Sequence, residues 1–429
     1  MLWNIILLFV LVLRVDSLLG NTTNTTPFAG ETWSENKFRT VAYVIRPKNF
    51  TPQELPYQDL THVSYAFASV NESTGEVYLS EIVDTKKLFQ TDHLDTTEKN
   101  LYGNLKQLYL LKKRNRNLKV LLCISSGSIF TSSPISRREG RILYAQSSIK
   151  LLKDLGLDGL DIMESPMDGF EARDYSYLLK EVRNALDNYG QSCDPPHYFE
   201  LSSSGPANLS MISSLNVTRL DPYLDFWNVQ TYNYVRSMGP LSGISGHAAN
   251  LYHSFDNPSS TPFDTASTIN MYRLLGIPAN KLVMGMPLYG QIFPDTTGPG
   301  RSFNFAGYNY RISRGLTIYN VKDLPRPGAT EYWDPLIGSS FSYNNKTREM
   351  VSYDNLGVAN QKAQYIIRNK LGGAIWMDSR GDRTGKHSLI QNVAISLGGC
   401  NRSTLARSLN RLSYADSIYA NMRRGMPGE

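Results

Sequence analysis

Between residues 38 and 399 short apolar runs alternate with longer stretches whose apolar positions recur every three or four residues. The short runs are Thr40–Ile45, His62–Phe67, Lys119–Ser125, Gly159–Met163, Tyr198–Ser203, Phe226–Tyr232, Leu282–Met286 and Gly373–Met377. Helical spacing lies between them, as in Asn104–Lys113 and Tyr175–Tyr189. This alternation predicts parallel strands joined by crossover helices, and eight such strands predict an α/β fold of the (β/α)8 TIM-barrel type. In such a barrel the chemistry is expected at the C-terminal ends of the strands. The interval before the last strand is anomalous. Its residues 291–352 are rich in Gly, Pro, Tyr and Phe, which predicts an inserted α+β subdomain on the rim. The barrel is then formed by 38–290 and 353–400.

The two ends read differently. Ile5–Leu13 is an apolar run too short to span a bilayer, and Val15-Asp16-Ser17 follows with small residues. Residues 1–17 are therefore expected to be a signal peptide and 18–37 a linker. Asn-x-Ser/Thr sequons at Asn21, Asn24, Asn49, Asn71, Asn208, Asn216, Asn345 and Asn401 fit a secreted, extracellular glycoprotein, with a cell wall as one destination. Three cysteines allow at most one internal bridge. Cys123, within an apolar strand, is expected to be a buried thiol; if a bridge forms, Cys193 with Cys400 is the expected pair. Residues 401–429 place Leu405, Leu409, Leu412 and Met422 at near-helical spacing among arginines. A basic amphipathic helix, solvated and weakly packed on the barrel, is the expectation.

Composition narrows the function classes. In 429 residues, 44 Lys+Arg against 38 Asp+Glu give a net charge of +6, and 41% of positions are hydrophobic. This balance excludes disorder and coiled coil, and the charge is too dilute for a nucleic-acid footprint. Twenty-six tyrosines suit a groove that meets both apolar and hydroxylated surfaces, with ordinary packing as the plainer explanation. The six histidines show no metal-ligand spacing, so neither a metal nor another cofactor is expected. Ser245-Gly246-His247 lacks the frame of a serine nucleophile. No second transmembrane run is present, and a monomer is expected.

The fourth strand carries Asp158-Gly159-Leu160-Asp161-Ile162-Met163-Glu164-Ser165-Pro166. This resembles the D-G-x-D-x-D-x-E motif of glycoside hydrolase family 18, the chitinases. Further segments resemble the family in order, among them Tyr223-Leu224-Asp225-Phe226-Trp227-Asn228, Gly285-Met286-Pro287-Leu288-Tyr289-Gly290 and Gly372-Gly373-Ala374. They look most like the secreted fungal endochitinases. The resemblance implies a barrel with a chitin insertion domain after Tyr289, chitin or chito-oligosaccharide as partner, and retaining hydrolysis assisted by the substrate's own acetamido group. It implies Glu164 as general acid, with Asp161 and Tyr232 in support. Tyr43, Phe67, Met163, Asn233, Tyr289, Trp376 and Met377 are the implied substrate contacts.

The motif departs from the family where chemistry is concentrated. Only three positions separate Asp161 from Glu164, where the family has four. In a regular strand Asp161, Met163 and Ser165 point inward and Glu164 outward. In a shortened strand end Glu164 still reaches the cleft. Either way Met163 stands in place of the middle carboxylate. Asn233 replaces the Asp of Tyr-Asp-Tyr, Gln291 an Arg, Ser125-Ser126 a Gly-Gly, and Met377 the Trp that floors the central subsite. Helices and strand cores keep the family pattern while the cleft loses it. Three functions follow: a sugar-binding protein with impaired catalysis, which is favoured; an active endochitinase using Glu164; and a cell-wall or spore-wall structural protein.

Overall fold

The structure, a computed structural model, describes residues 37–45, 51–80, 82–90, 92, 97–125, 134–163, 172–235, 243–304 and 318–427. The signal peptide, Asn21, Asn24, Asn49 and Glu164 lie outside the described residues. Fourteen strands follow in chain order among those described: β1 (Arg39–Ile45), β2 (His62–Val70), β3 (Val77–Tyr78), β4 (Lys119–Ile124), β5 (Gly159–Ile162), β6 (Glu200–Gly205), β7 (Phe226–Val229), β8 (Leu282–Pro287), β9 (Tyr289–Phe293), β10 (Ile318–Asn320), β11 (Thr330–Asp334), β12 (Ser339–Asn344), β13 (Glu349–Ser352) and β14 (Gly373–Met377). Eight of them close a parallel barrel in the order β1-β2-β4-β5-β6-β7-β8-β14, and β14 pairs back onto β1. The (β/α)8 barrel read from the alternating pattern is the fold observed.

Helices Gly103–Arg114, Arg138–Leu155, Ala172–Ser192, Thr265–Leu274, Leu356–Arg368 and Leu389–Gly398 surround it. Ala172–Ser192 buries Tyr175, Leu178, Leu179, Val182 and Leu186, the i, i+3, i+4 stripe that its sequence spacing requires. Three of these helices begin on side-chain caps: Asp264 accepts from the Ser267 N–H, Asn355 from Val358 and Ser388 from Gln391. Arg138–Leu155 ends at Gly156, whose φ of 72° is the left-handed conformation in which glycine carries no Cβ penalty.

The barrel interior is layered. At its N-terminal end the first residues of four strands, Arg39, His62, Lys119 and Glu200, form a buried polar layer against Phe226, the first residue of β7. Glu200 accepts from Lys119 Nζ at 2.5 Å and bonds His62 Nε2 at 2.8 Å, while the Arg39 guanidinium lies 4.7 Å over the Phe226 ring. Burial opposes ionisation of Glu200, but Lys119, His62 and Arg39 together hold its carboxyl well below the usual range. Burial likewise pushes the His62 imidazole down, against the pull of Glu200. Above this layer Val41, Tyr43, Ala66, Leu121, Cys123, Val283 and Ile375 pack as an apolar interior.

The insertion is a five-stranded antiparallel sheet in the order β10-β9-β13-β12-β11. It begins at Tyr289, two residues before the expected boundary, because β9 follows β8 after a single residue. Residues 305–317 lie outside the description. The described part contains strands and one 3-10 turn, Val321–Asp323.

The C-terminal segment overturns the expectation of a weakly packed helix. Only Ala420–Arg423 is helical, and the rest runs as irregular chain across the N-terminal end of the barrel. Leu405 bridges to Phe38 beside β1. Asn410 Nδ2 donates to the carbonyls of Lys112, Asn115 and Leu118. Tyr414, Met422 and Met426 are buried, whereas Leu409 is 66% exposed. The leucines thus do not form a common face; main-chain and amide bonds hold the segment. The expected bridge is also absent: Cys193, buried, and Cys400, exposed, form no disulfide, and Cys123 is buried as expected.

Candidate functional site

Asp161 is the third residue of β5, so its side chain points into the barrel, and it is fully buried. Its carboxylate takes four donors from four other strands. The Tyr43 hydroxyl and Ser64 Oγ, at 2.8 Å, donate to Oδ2; Ser202 Oγ, at 2.8 Å, and Asn228 Nδ2, at 3.1 Å, donate to Oδ1. A carboxylate offers about four lone-pair sites, and all are occupied. Burial, and then the Asp161 charge, push the Tyr43 phenol well above its ordinary value, so it stays protonated as a donor.

The next inward position, one residue past β5, is Met163, whose N–H donates to the Ile124 carbonyl at 2.9 Å. Its side chain, half-buried, packs with Ile45, Phe67 and Met377 on the apolar interior. Ile45 and Met377 end β1 and β14, Phe67 lies in the second half of β2 and Met163 directly follows β5, so the four line the mouth of the barrel. A thioether neither accepts an amide proton well nor carries charge. The floor of the mouth therefore presents an apolar surface at this point.

One wall of the mouth is built after β7. Thr231 Oγ1 donates to the Gly285 carbonyl at 2.8 Å, and Tyr232 lies over Gly285 so closely that an added Cβ would sit 2.8 Å from its ring. Glycine at 285 is thus the space that Tyr232 occupies. Tyr232 meets Tyr289 edge to face, with centroids 6.4 Å apart. Asn233 follows in the left-handed region, at φ 61°, which Asn tolerates better than most residues. Its Oδ1 accepts from the Tyr289 hydroxyl at 3.0 Å and from Gln291 Nε2 at 2.9 Å.

The structure therefore gathers Phe67, Met163, Tyr232, Asn233, Tyr289 and Met377 around the mouth and separates two other candidates from it. Trp376 is fully buried and packs outside the strands, among the core between barrel and helices. It alternates with Met377, and only one of two successive strand residues faces inward. Tyr43 lies fully buried beneath the mouth as a donor to Asp161. Sequence reasoning missed Ser64, Ser202 and Asn228. Their signal was faint: single polar residues at inward positions of otherwise apolar strands.

Other motifs prove structural. Ser245 Oγ donates to the carbonyls of Gly298 and Arg301, and His247 Nδ1 bonds Ser339 Oγ at 2.8 Å. Burial lowers the His247 imidazole to about 4. These bonds pin the segment after β7 to the inserted sheet. Among the described residues no three His, Cys, Asp or Glu side chains converge as a metal ion requires.

Residues 39–382 match the family described as Glycosyl hydrolases family 18. The chain belongs to this family. Endochitinase 1 of Metarhizium robertsii is 36% identical over 383 residues, covering 88% of each chain. Chitinase 1 of Aphanocladium album is 34% identical over 423 residues, 96% of this chain and 97% of the relative. Among solved structures, chitinase ChiA74 from Bacillus thuringiensis superposes with a TM-score of 0.76 at 22% identity, over 84% of this chain and 70% of that one. The family 18 barrel is thus kept, and Met163, Asn233 and Met377 lie toward its mouth.

Proposed function

We propose that this family 18 protein is secreted and holds chito-oligosaccharide in the barrel mouth while hydrolysing it poorly. The observation that carries the reading is the pairing of Asp161 with Met163. The buried carboxylate has no free lone pair to offer a substrate, and the residue above it is a thioether. Orientation of an acetamido group and stabilisation of developing positive charge both need an acceptor at that point. Aromatic and amide groups for binding are retained: Tyr232, Tyr289 and Asn233 form a connected wall. The sequons and the apolar run Ile5–Leu13 support secretion, and attachment to a cell wall is compatible with a sugar-binding role.

A second reading is favoured by two relatives named as chitinases that match nearly the whole chain. There Glu164 is the acid of a retaining endochitinase. Hydrolysis of a fluorogenic chitotriose between acidic and neutral pH, beside capture of the same protein on chitin beads, separates the two. Capture without turnover supports binding. Turnover that disappears in Glu164→Gln establishes the enzyme. Neither turnover nor capture places the function outside the mouth.

A further inference from the structure

At the end of the barrel opposite the mouth, the sequon Asn401-Arg402-Ser403 borders a cavity of about 430 Å³. The cavity lies between the C-terminal segment and the loops that precede β2 and β4. Its volume falls in the range of pockets that enclose a small ligand, roughly 300–1,000 Å³. Asp59, Asn115, Asn117 and Arg407 line it with polar groups, Leu60 and Leu405 with apolar ones. That mixture suits a sugar, whose rim is hydroxylated and whose ring face and acetyl methyl are apolar. Asn71, Asn208, Asn216 and Asn345, the other described sequons, do not border it.

The barrel holds this sequon in a fixed turn. Arg402 has φ 56°, in the left-handed region. Its guanidinium reaches the buried Asp59, where Nε at 2.8 Å and Nη2 at 2.5 Å donate to Oδ1, and Nη1 donates to the Cys400 carbonyl at 2.7 Å. Asn401 Oδ1 accepts the Ser403 N–H at 3.1 Å, which sets the amide at the cavity rim. Asn401 and Ser403 are both exposed. We propose that Asn401 carries an N-linked glycan whose first N-acetylglucosamine is seated in this cavity. The proposal rests on the reading that the protein is secreted, because the donor is a lipid-diphosphate oligosaccharide of the secretory pathway. In the transfer Nδ2 bonds the sugar's anomeric carbon and loses a proton to a base of the transferring enzyme. The anomeric C–O bond breaks, and its electron pair leaves on the diphosphate. A hydroxyl of the seated sugar donates to Asp59 Oδ2, and the ring covers Leu60 and Leu405. The sugar thereby fastens the C-terminal segment to the loops before β2 and β4.

Cys400 also borders the cavity and is exposed, whereas Cys123 and Cys193 are buried, so its thiol reports on the seat. The full chain is secreted from a host that makes high-mannose glycans and trimmed with endoglycosidase H, which leaves a single N-acetylglucosamine at each occupied sequon. Peptide mapping should find that sugar on Asn401. Maleimide should label Cys400 about tenfold more slowly than in Ser403→Ala, because the thiol is reached only when the sugar leaves its seat. Ser403→Ala removes the acceptor signal and keeps the main-chain N–H that Asn401 binds. The ratio is taken against the same pair made without glycosylation, which removes any effect of the serine itself. An unmodified Asn401 on a chain whose other sequons are occupied overturns the proposal while secretion stands. Equal labelling of the two secreted proteins, with the sugar present on Asn401, also overturns it. A chain kept inside the cell, or one without sugar at any sequon, overturns the proposal together with the secretion reading. Should Ser403→Ala fail to be secreted, Asn401→Gln takes its place in the same comparison.

Discussion

The Asp158 carboxylate accepts the main-chain N–H of Arg411 at 2.9 Å, tying the opening of β5 to a segment 253 residues later. Its other oxygen takes the fully buried Lys112 ammonium at 2.8 Å, and Lys112 also donates to the hydroxyl of Tyr414 in that segment. The first Asp of the family motif is thus an anchor for the C-terminal chain. Removing one partner of a buried ion pair typically costs about 3–5 kcal/mol. Asp158→Asn is expected to lower unfolding stability by this amount in urea titration. A chain ending at residue 400 also exposes the barrel surface under Tyr414, Met422 and Met426, and should melt far below the full chain. An unchanged melt would contradict the anchoring role.

Asp161→Asn keeps shape and removes charge. The new amide nitrogen faces two of the four donors that converge there. Leaving buried donors unmet should destabilise the protein by about 2–4 kcal/mol, read from the denaturant midpoint at constant m-value. An Asp161→Asn protein of wild-type stability would mean that the four bonds do not form as described.

Acid should unfold the protein from the histidine range downward. Burial holds His62 below its ordinary value and lowers His197 and His247 to about 4. Each of these rings is neutral when folded and gains a proton when unfolded, so stability is full above pH ~6.5 and declines toward pH 4. Glu200, held well below its ordinary range, adds a further loss below pH ~4.5. Asp354, raised by burial despite Lys362, acts in the opposite direction and softens the slope. Urea midpoints between pH 7 and 4 should fall steadily. In His247→Gln the slope should be shallower, by up to about 3 kcal/mol across the range.

Met163→Asp places a carboxylate at the inward position above Asp161. If Glu164 reaches the mouth, kcat/KM on the fluorogenic chitotriose should rise at least about tenfold over the wild type, a modest share of what an oriented acid-base group contributes. The gain should vanish when Glu164→Gln is added. No gain, in a variant that still binds chitin beads, would place the defect in the position of Glu164 rather than in the missing carboxylate.

The barrel was legible because its signal is repetitive. Each strand announces itself by a short apolar run, and helices such as Ala172–Ser192 by a continuous stripe. What escaped depends on partners distant in sequence. Asn233 and Gln291 each read as a loss until the β7 and β9 ends bring them within 2.9 Å. Leu405, Leu409 and Leu412 read as a helix face, but the segment is held by Asn410 and by main-chain N–H groups meeting carboxylates, which hydrophobic periodicity does not encode. Trp376 and Met377 are adjacent, so a one-residue error in assigning faces exchanges floor and outer core.

The segment laid against the N-terminal ends of β4 and β5 follows every strand of the barrel in the chain. Asp158, Lys112 and Tyr109 are synthesised between 253 and 303 residues before the groups of that segment that meet them. All eight strands can emerge first, so the nascent barrel carries these groups uncovered and presents an open surface at this end that chaperones can engage.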